Sequence, residues 1–201
     1  MTLGIEPCEK DPKVLILTWD GDHFRKVSKS MFLSELKKIP PHLSRQEFLQ
    51  LFSQIEEKVG KRYALYLLSQ RALLSSELSA KLIAKGLSSL AANTIAEHCV
   101  AQGYIDDTHL VSRLVARELR KGHSARAVLF KLKQKKGIPE KVLRAHLQSA
   151  EQSEAQVLEK WIEKNARKID RNDPVAMRKV MAKLIRRGFP SELVFQTFIP
   201  K

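Results

Sequence analysis

Three stretches decide the fold: KLIAKGLS (81–88), KLKQKKGIP (131–139) and KLIRRGFP (183–190). Each reads Lys-Leu, a short spacer, a base, Gly, an apolar residue, then Ser or Pro. The leading lysines, Lys81, Lys131 and Lys183, lie 50 and 52 residues apart. Each string has the chemistry of one helix ending and the next beginning. Bases complement the negative end of the helix dipole. Gly86, Gly137 and Gly188 supply the left-handed residue that closes a helix. Ser88, Pro139 and Pro190 then suit an N-cap or first turn. Three such joints at near-constant spacing define a repeat.

Helical periodicity flanks each joint. Tyr63, Ala64, Leu67 and Leu68 fall on one face, as do Leu110, Val111, Leu114 and Val115, and Leu158, Trp161 and Ile162. Middle helices carry Leu78 with Leu82, Val128 with Leu132, and Met177, Val180 and Met181 with Leu184. Third helices carry Ile95, Cys99 and Val100, then Val142, Leu143 and Leu147, then Leu193 and Val194. Each repeat therefore reads as three short helices. Helices this short need neighbours to share a core. The expected fold is predominantly all-α, with tandem three-helix repeats at 59–105, 106–150 and 151–201 forming an elongated array.

Residues 1–58 read as a separate extension. Positions 13–20 are rich in β-branched and apolar residues, Asp20-Gly21-Asp22 is a hairpin turn signal, and 23–27 offers a return strand. A short helix is expected over 28–38, stopped before Pro40-Pro41. Ser44 and Glu47 form a capping box opening a helix with Phe48, Leu51, Phe52 and Ile55 on one face. The extension is expected to be a small β-hairpin plus helices.

Composition narrows the function. The 201 residues carry 36 Lys+Arg against 22 Asp+Glu, a net charge of +14. Half of that excess falls in 106–150, where 11 bases face 4 acids. Such a field attracts polyanions without saying anything about fold. Cys8 and Cys99 are too few for a disulfide framework, which points to a reducing compartment. The opening MTLGIEPCEKDPK lacks the apolar run of a leader, and the longest aliphatic run, 14–17, is far too short for a membrane span. The expectation is a cytoplasmic protein without membrane contact.

With these motifs in hand, the sequence resembles the RecX family, bacterial regulators of RecA recombinase. The resemblance rests on YALYLLSQR (63–71), SSELSAKLIAKG (75–86), GYIDD (103–107), RLVARELRKGHSARAVLFKLKQKKGI (113–138) and KLIRRGF (183–189), in the family's order. It implies three tandem three-helix repeats and binding to the RecA–DNA filament. It further implies interference with the filament's ATPase, strand exchange or growth. The expected partners are that filament and, through phosphates, DNA without base specificity; the chain is expected to act as a monomer.

GYIDD has a mechanical reading. Gly103 ends a helix, Tyr104 and Ile105 plug the space between repeats, and Asp106 or Asp107 caps the next helix. Paired Asp could ligate Mg²⁺ or exchange protons, but no second acidic cluster accompanies them, so the capping role is preferred. Gly86, Gly103, Asp106, Asp107, Gly137 and Gly188 are thus structural joints.

The candidate binding residues are bases. Arg113, Arg117 and Arg120 fall at i, i+4 and i+7, opposite the apolar face of their helix. Lys121 follows them. Lys179, Lys183 and Arg186 repeat that spacing beside Arg187, and Arg126, Lys131, Lys133, Lys135 and Lys136 crowd the second joint. Charged helix faces are common, yet 113–136 holds nine bases and one acid, Glu118. Arginine adds a planar fork for phosphate or carboxylate.

Catalytic signatures are missing. There is no GxxxxGK[ST], GxGxxG or GxSxG motif, and six scattered His lack ligand spacing. Cys99 reads as a buried thiol, His146 as a partly buried polar residue and Trp161 as a core anchor. No catalytic residue, metal or cofactor is expected. The alternative to a filament regulator is a helical-repeat protein that coats single-stranded or duplex nucleic acid with no recombinase partner. A metal-dependent nuclease-like activity would have to use Asp106 and Asp107.

Overall fold

The computed structural model describes residues 3–40, 42–134, 138–149, 154–165 and 173–198. The chain divides into two compact units, Met1–Asp107 and Thr108–Lys201.

The first unit opens with three antiparallel strands, β1 (Leu3–Cys8), β2 (Asp11–Trp19) and β3 (Asp22–Ser28), in the order β1-β2-β3. The expected hairpin is β2–β3. Its turn places both Asp20 (φ 50) and Gly21 (φ 88) in the left-handed region, as a two-residue hairpin loop of primed type requires. The expectation of a lone hairpin is corrected by β1, which pairs Leu3 with Trp19 and Ile5 with Leu17. Gly4 and Pro7 disguise it in the sequence. Both are tolerated because β1 is an edge strand, hydrogen-bonded on one side only.

Two helices follow, α1 (Lys29–Leu36) and α2 (Arg45–Gln70). The capping box is present: the Glu47 amide donates to Ser44 Oγ at 3.3 Å, and the Ser44 amide to Glu47 Oε2 at 2.8 Å. Phe48 and Phe52 pack under the sheet, Trp19 stacking on Phe48 at 4.7 Å and Phe24 meeting Phe52 edge-on at 5.2 Å. α2 is a single helix of 26 residues, crossing the expected boundary at 58/59 without a break. The periodic segment at 63–68, expected to be a separate short helix, is its C-terminal half. Mid-helix Gly60 is buried, in the space where Ile95 and Leu87 of the neighbouring elements approach.

α3 (Ser75–Ala84) and α4 (Ser89–Ala101) complete this unit, and Ser88 caps α4 by accepting from the Ala91 amide at 3.2 Å. The joint between them closes with Gly86 N–H to Ile83 C=O and Leu87 N–H to Leu82 C=O, the pairing of a helix ending in left-handed glycine. Gly86 has φ +100, and a Cβ there would meet the backbone of Lys26 and Val27. The joint therefore docks on β3. Buried Glu56 fastens the same region: it accepts from Arg25 Nη1 and from the Ser88 amide, each at 2.6 Å.

The second unit holds α5 (Asp107–Arg120, its first residue counted with the first unit), α6 (Ala125–Lys133), α7 (Glu140–Ser149), α8 (Glu154–Asn165), α9 (Pro174–Arg186) and α10 (Ser191–Phe198). Asp173 caps α9, accepting from the Val175 amide at 2.8 Å, with Pro174 in the first turn as expected. Leu158, Trp161, Ile162, Leu184, Phe189 and Val194 form one core cluster. The α9–α10 joint repeats the earlier closure: Gly188 (φ +90) N–H to Ile185 C=O and Phe189 N–H to Leu184 C=O. Gly137 lies outside the described residues, as do Pro41, Lys135 and Lys136. The fold is mostly helical with a small N-terminal antiparallel sheet.

Two further expectations are corrected. Tyr104 is 58% exposed and plugs nothing, while its neighbour Ile105 is buried. The difference follows from the glycine closure: the Tyr104 amide is drawn back to Cys99 C=O, and the Ile105 amide shares that acceptor. Val100 is 44% exposed beside buried Cys99, the face of α4 being narrower than the apolar letters suggest.

Candidate functional site

The basic residues singled out in 106–150 start from α5. Its buried face is Val111, Leu114 and Val115, which turns Arg113, Arg117 and Arg120 into solvent. The one acid within 113–136, Glu118, is not on that outer face. It is 1% exposed and gathers cations around it: Lys131 Nζ at 2.7 Å, Lys121 Nζ at 3.0 Å, Arg117 Nε at 3.5 Å and His123 Nε2 at 3.8 Å. The hydrogen bond from Lys131, joined by that from Lys121, outweighs burial and holds the Glu118 carboxyl at a pKa of about 2. His123 is shifted down instead, first by burial and then by the charges of Lys131 and Arg187.

This arrangement divides the thirteen candidates. Lys121 and Lys131 are drawn to the buried carboxylate. Lys133 pairs with Glu140 at 2.6 Å. Arg187 lies over the Trp161 ring at 5.4 Å, donates to Gly122 C=O at 3.2 Å and also reaches Lys121 C=O. Lys183 approaches the same ring at 5.6 Å. These five serve the unit's own structure. Arg113, Arg120, Arg126, Lys179 and Arg186 are exposed and carry no ion pair among the described residues; Arg117 is exposed with only its long contact to Glu118. With Glu118 turned inward, the stretch of α5 from Arg113 to Arg120 presents an arginine face of one sign.

Sequence reasoning missed two features. Glu118 looked like a diluting charge, although its place four residues after Leu114 and three after Val115 put it on the buried stripe. Phe130 is 68% exposed on α6, four residues after Arg126 and three before Lys133. An aromatic side chain between bases at helical spacing was the available signal.

The GYIDD carboxylate has a cross-chain role. Asp107 accepts from the Ser75 amide at 2.8 Å and from Ser75 Oγ at 2.5 Å, tying the start of α3 to the start of α5. Asp106 stands immediately before α5. Among the described residues no group of three or more His, Cys, Asp or Glu is placed to hold a metal ion, and no helix is long and apolar enough to cross a membrane. Cys99 is buried and its thiol pKa is pushed up by burial, Trp161 sits in the core, and His146 is half-buried, as read from the sequence.

Glycine-closed helical joints, a small N-terminal sheet and an exposed arginine face define a basic, mostly helical protein. Residues 152–198 match the family model described as RecX, third three-helix domain. A crystal structure of regulatory protein RecX is similar over 100% of this chain and 99% of its own, with a TM-score of 0.60 at 19% identity. No curated protein matches. The similarity to RecX read from the sequence holds: the fold is RecX-like from end to end, and the C-terminal segment carries the family's own pattern.

Proposed function

We propose that the chain is a cytoplasmic, non-catalytic regulator that binds the RecA–DNA filament and inhibits its ATPase, strand exchange and growth during recombination and repair. The RecX likeness supports a regulatory role. The observation that carries the reading further is the face of Arg113, Arg117 and Arg120, exposed while Glu118 is buried. A filament groove offers DNA phosphate together with protein carboxylates, and the guanidinium fork suits both. Three tandem repeats, at 59–105, 106–150 and 151–201, acting as a monomer would give several weak contacts at once, so avidity replaces catalysis.

The test is DNA-dependent ATP hydrolysis by the cognate recombinase, with this protein titrated below recombinase stoichiometry and single-stranded DNA in excess. Inhibition under those conditions supports a filament-directed regulator. Loss of hydrolysis only when the protein saturates the DNA supports the second reading, a protein that coats nucleic acid directly. Exposed Phe130, between Arg126 and Lys133, favours that second reading, since aromatic rings flanked by bases stack unpaired bases.

A further inference from the structure

A wide groove of about 1170 Å³ lies in the first unit, far in sequence from the arginine face, bounded by the ends of β2 and β3, by α1 and by the C-terminus of α3. Five lysines line it, Lys13, Lys26, Lys29, Lys37 and Lys85, against one acid, Asp11. None of the five makes an ion pair among the described residues. Elsewhere in the same unit lysines do find acids: Lys38 and Lys58 reach Glu35, and Lys61 reaches Glu57. The one acid in the groove, Asp11, accepts from the Lys13 amide at 2.9 Å and offsets at most one of the five lysine charges. The groove thus keeps an excess of positive charge, which raises the local concentration of anions.

We propose that this groove holds the sugar–phosphate backbone of a nucleic acid, read through its phosphates alone. Lys29 at the start of α1 and Lys37 just past its end stand eight residues apart, about 12 Å along the axis, and Lys13 and Lys26 continue the charge onto the strands. A row of this length matches a ligand of repeating charge, not a single anion. α1 also opens into the groove with no side-chain hydrogen bond from its N-cap, Ser28, leaving first-turn amides for a phosphate oxygen. No arginine lines the groove; its cations are lysine point charges, which follow a repeating phosphate without a fixed bidentate geometry.

The oligothymidine measurement needs no recombinase, so its outcome stands apart from the filament reading. Fluorescence anisotropy of a fluorescein-labelled oligothymidine is measured with the full chain and with the triple variant Lys13→Gln, Lys26→Gln, Lys37→Gln. All three side chains are exposed, and circular dichroism checks the fold; a charge-preserving triple Lys→Arg variant supplies a control for loss of charge alone. The expected result is a loss of roughly tenfold or more in affinity at low salt and a salt slope shallower by about 2, with the Arg variant close to wild type. Unchanged affinity and slope in the Gln variant overturns the proposal. So does displacement of the oligomer by inorganic tripolyphosphate at equal concentration, which makes the ligand a short anion. Unchanged oligomer binding with weakened binding to the protein filament also overturns it, and assigns the groove to an acidic protein segment.

Discussion

The Ser124 amide donates to the Arg187 carbonyl at 3.1 Å, and in the other unit the Ser28 amide donates to the Lys85 carbonyl at 2.9 Å. In both places the acceptor is the base just before a left-handed glycine, and the donor is the serine just before a helix. The last carbonyls of a helix lack partners of their own. Each glycine joint is therefore a docking point where a helix end is satisfied by a distant element. Ser124 Oγ strengthens the second case by donating to Gly188 C=O at 2.7 Å.

A side chain at these joints should cost more than backbone strain alone. At Gly188 a Cβ would lie 2.6 Å from Ser124 Oγ and 2.6 Å from Ala127 Cβ, and at Gly86 it would meet the β3 backbone. At Gly103, φ +72, nothing lies within 4 Å. Gly103→Ala is expected to lose about 1–2 kcal/mol, the left-handed penalty. Gly86→Ala and Gly188→Ala should lose about 1–3 kcal/mol beyond that from overpacking. Urea midpoints of the three variants give the ranking, and equal losses would mean the joints are not docked.

The joints were legible because the residues that make them are few and special. Left-handed glycine, a preceding base and a capping Ser or Pro have no other common use in that order. Helix faces were legible for the same reason, since Leu158, Trp161 and Ile162 fall at helical spacing and all three are buried. β1 was not legible, because an edge strand needs neither alternation nor freedom from Pro and Gly. Nor was the lysine groove, whose residues come from positions 13 to 85 and meet only through the fold. The candidate site was half legible. Spacing placed the arginines on an outer face, but which lysines are spent on Glu118 depends on a turn through Gly122 that no periodicity reports.

Glu118 should make the second unit sensitive to acid. Its carboxyl is held at about 2, below an ordinary value of 4.5, so its stabilisation is complete above 4.5 and fades as pH falls towards 2. That shift corresponds to about 3 kcal/mol. His123 works in the same direction at higher pH, because its lowered value lets the unfolded imidazole protonate first below its ordinary 6.5. Glu118→Gln is expected to lower stability at neutral pH by about 2–3 kcal/mol and to flatten the pH dependence between about 4.5 and 2. Urea unfolding across that range checks it. A variant with the slope of the wild type would place the acid sensitivity elsewhere.

Asp107 should behave as a tie between helix starts. Asp107→Ala removes the acceptor for the Ser75 amide and hydroxyl, and should cost about 1–2 kcal/mol, as losing a helix cap does. Thermal melts with and without a chelator separate this from metal ligation. Equal melting of the wild type in both, with a lower midpoint for the variant, is the expected pattern; a chelator-induced drop in the wild type would revive the metal-dependent reading.

The division of the basic residues into structural and outward-facing sets yields the sharpest test. Arg113 and Arg120 have no ion-pair partner among the described residues, whereas Lys121 and Lys131 hold the buried carboxylate of Glu118. Arg113→Glu with Arg120→Glu should leave stability within about 0.5 kcal/mol, as surface changes usually do. Arg117 is better changed to Ala, since a carboxylate there would sit beside Glu118. The combined arginine variant should lose inhibition of recombinase ATPase. Lys121→Ala with Lys131→Ala should do the reverse: a loss of about 2 kcal/mol in stability from the stranded carboxylate, with inhibition retained at temperatures where the unit stays folded. Measured side by side, urea midpoints and inhibition curves assign each base to the core or to the partner. Inhibition that follows the lysines instead would mean that the Glu118 cluster opens on binding and that its cations, not the α5 arginines, meet the filament.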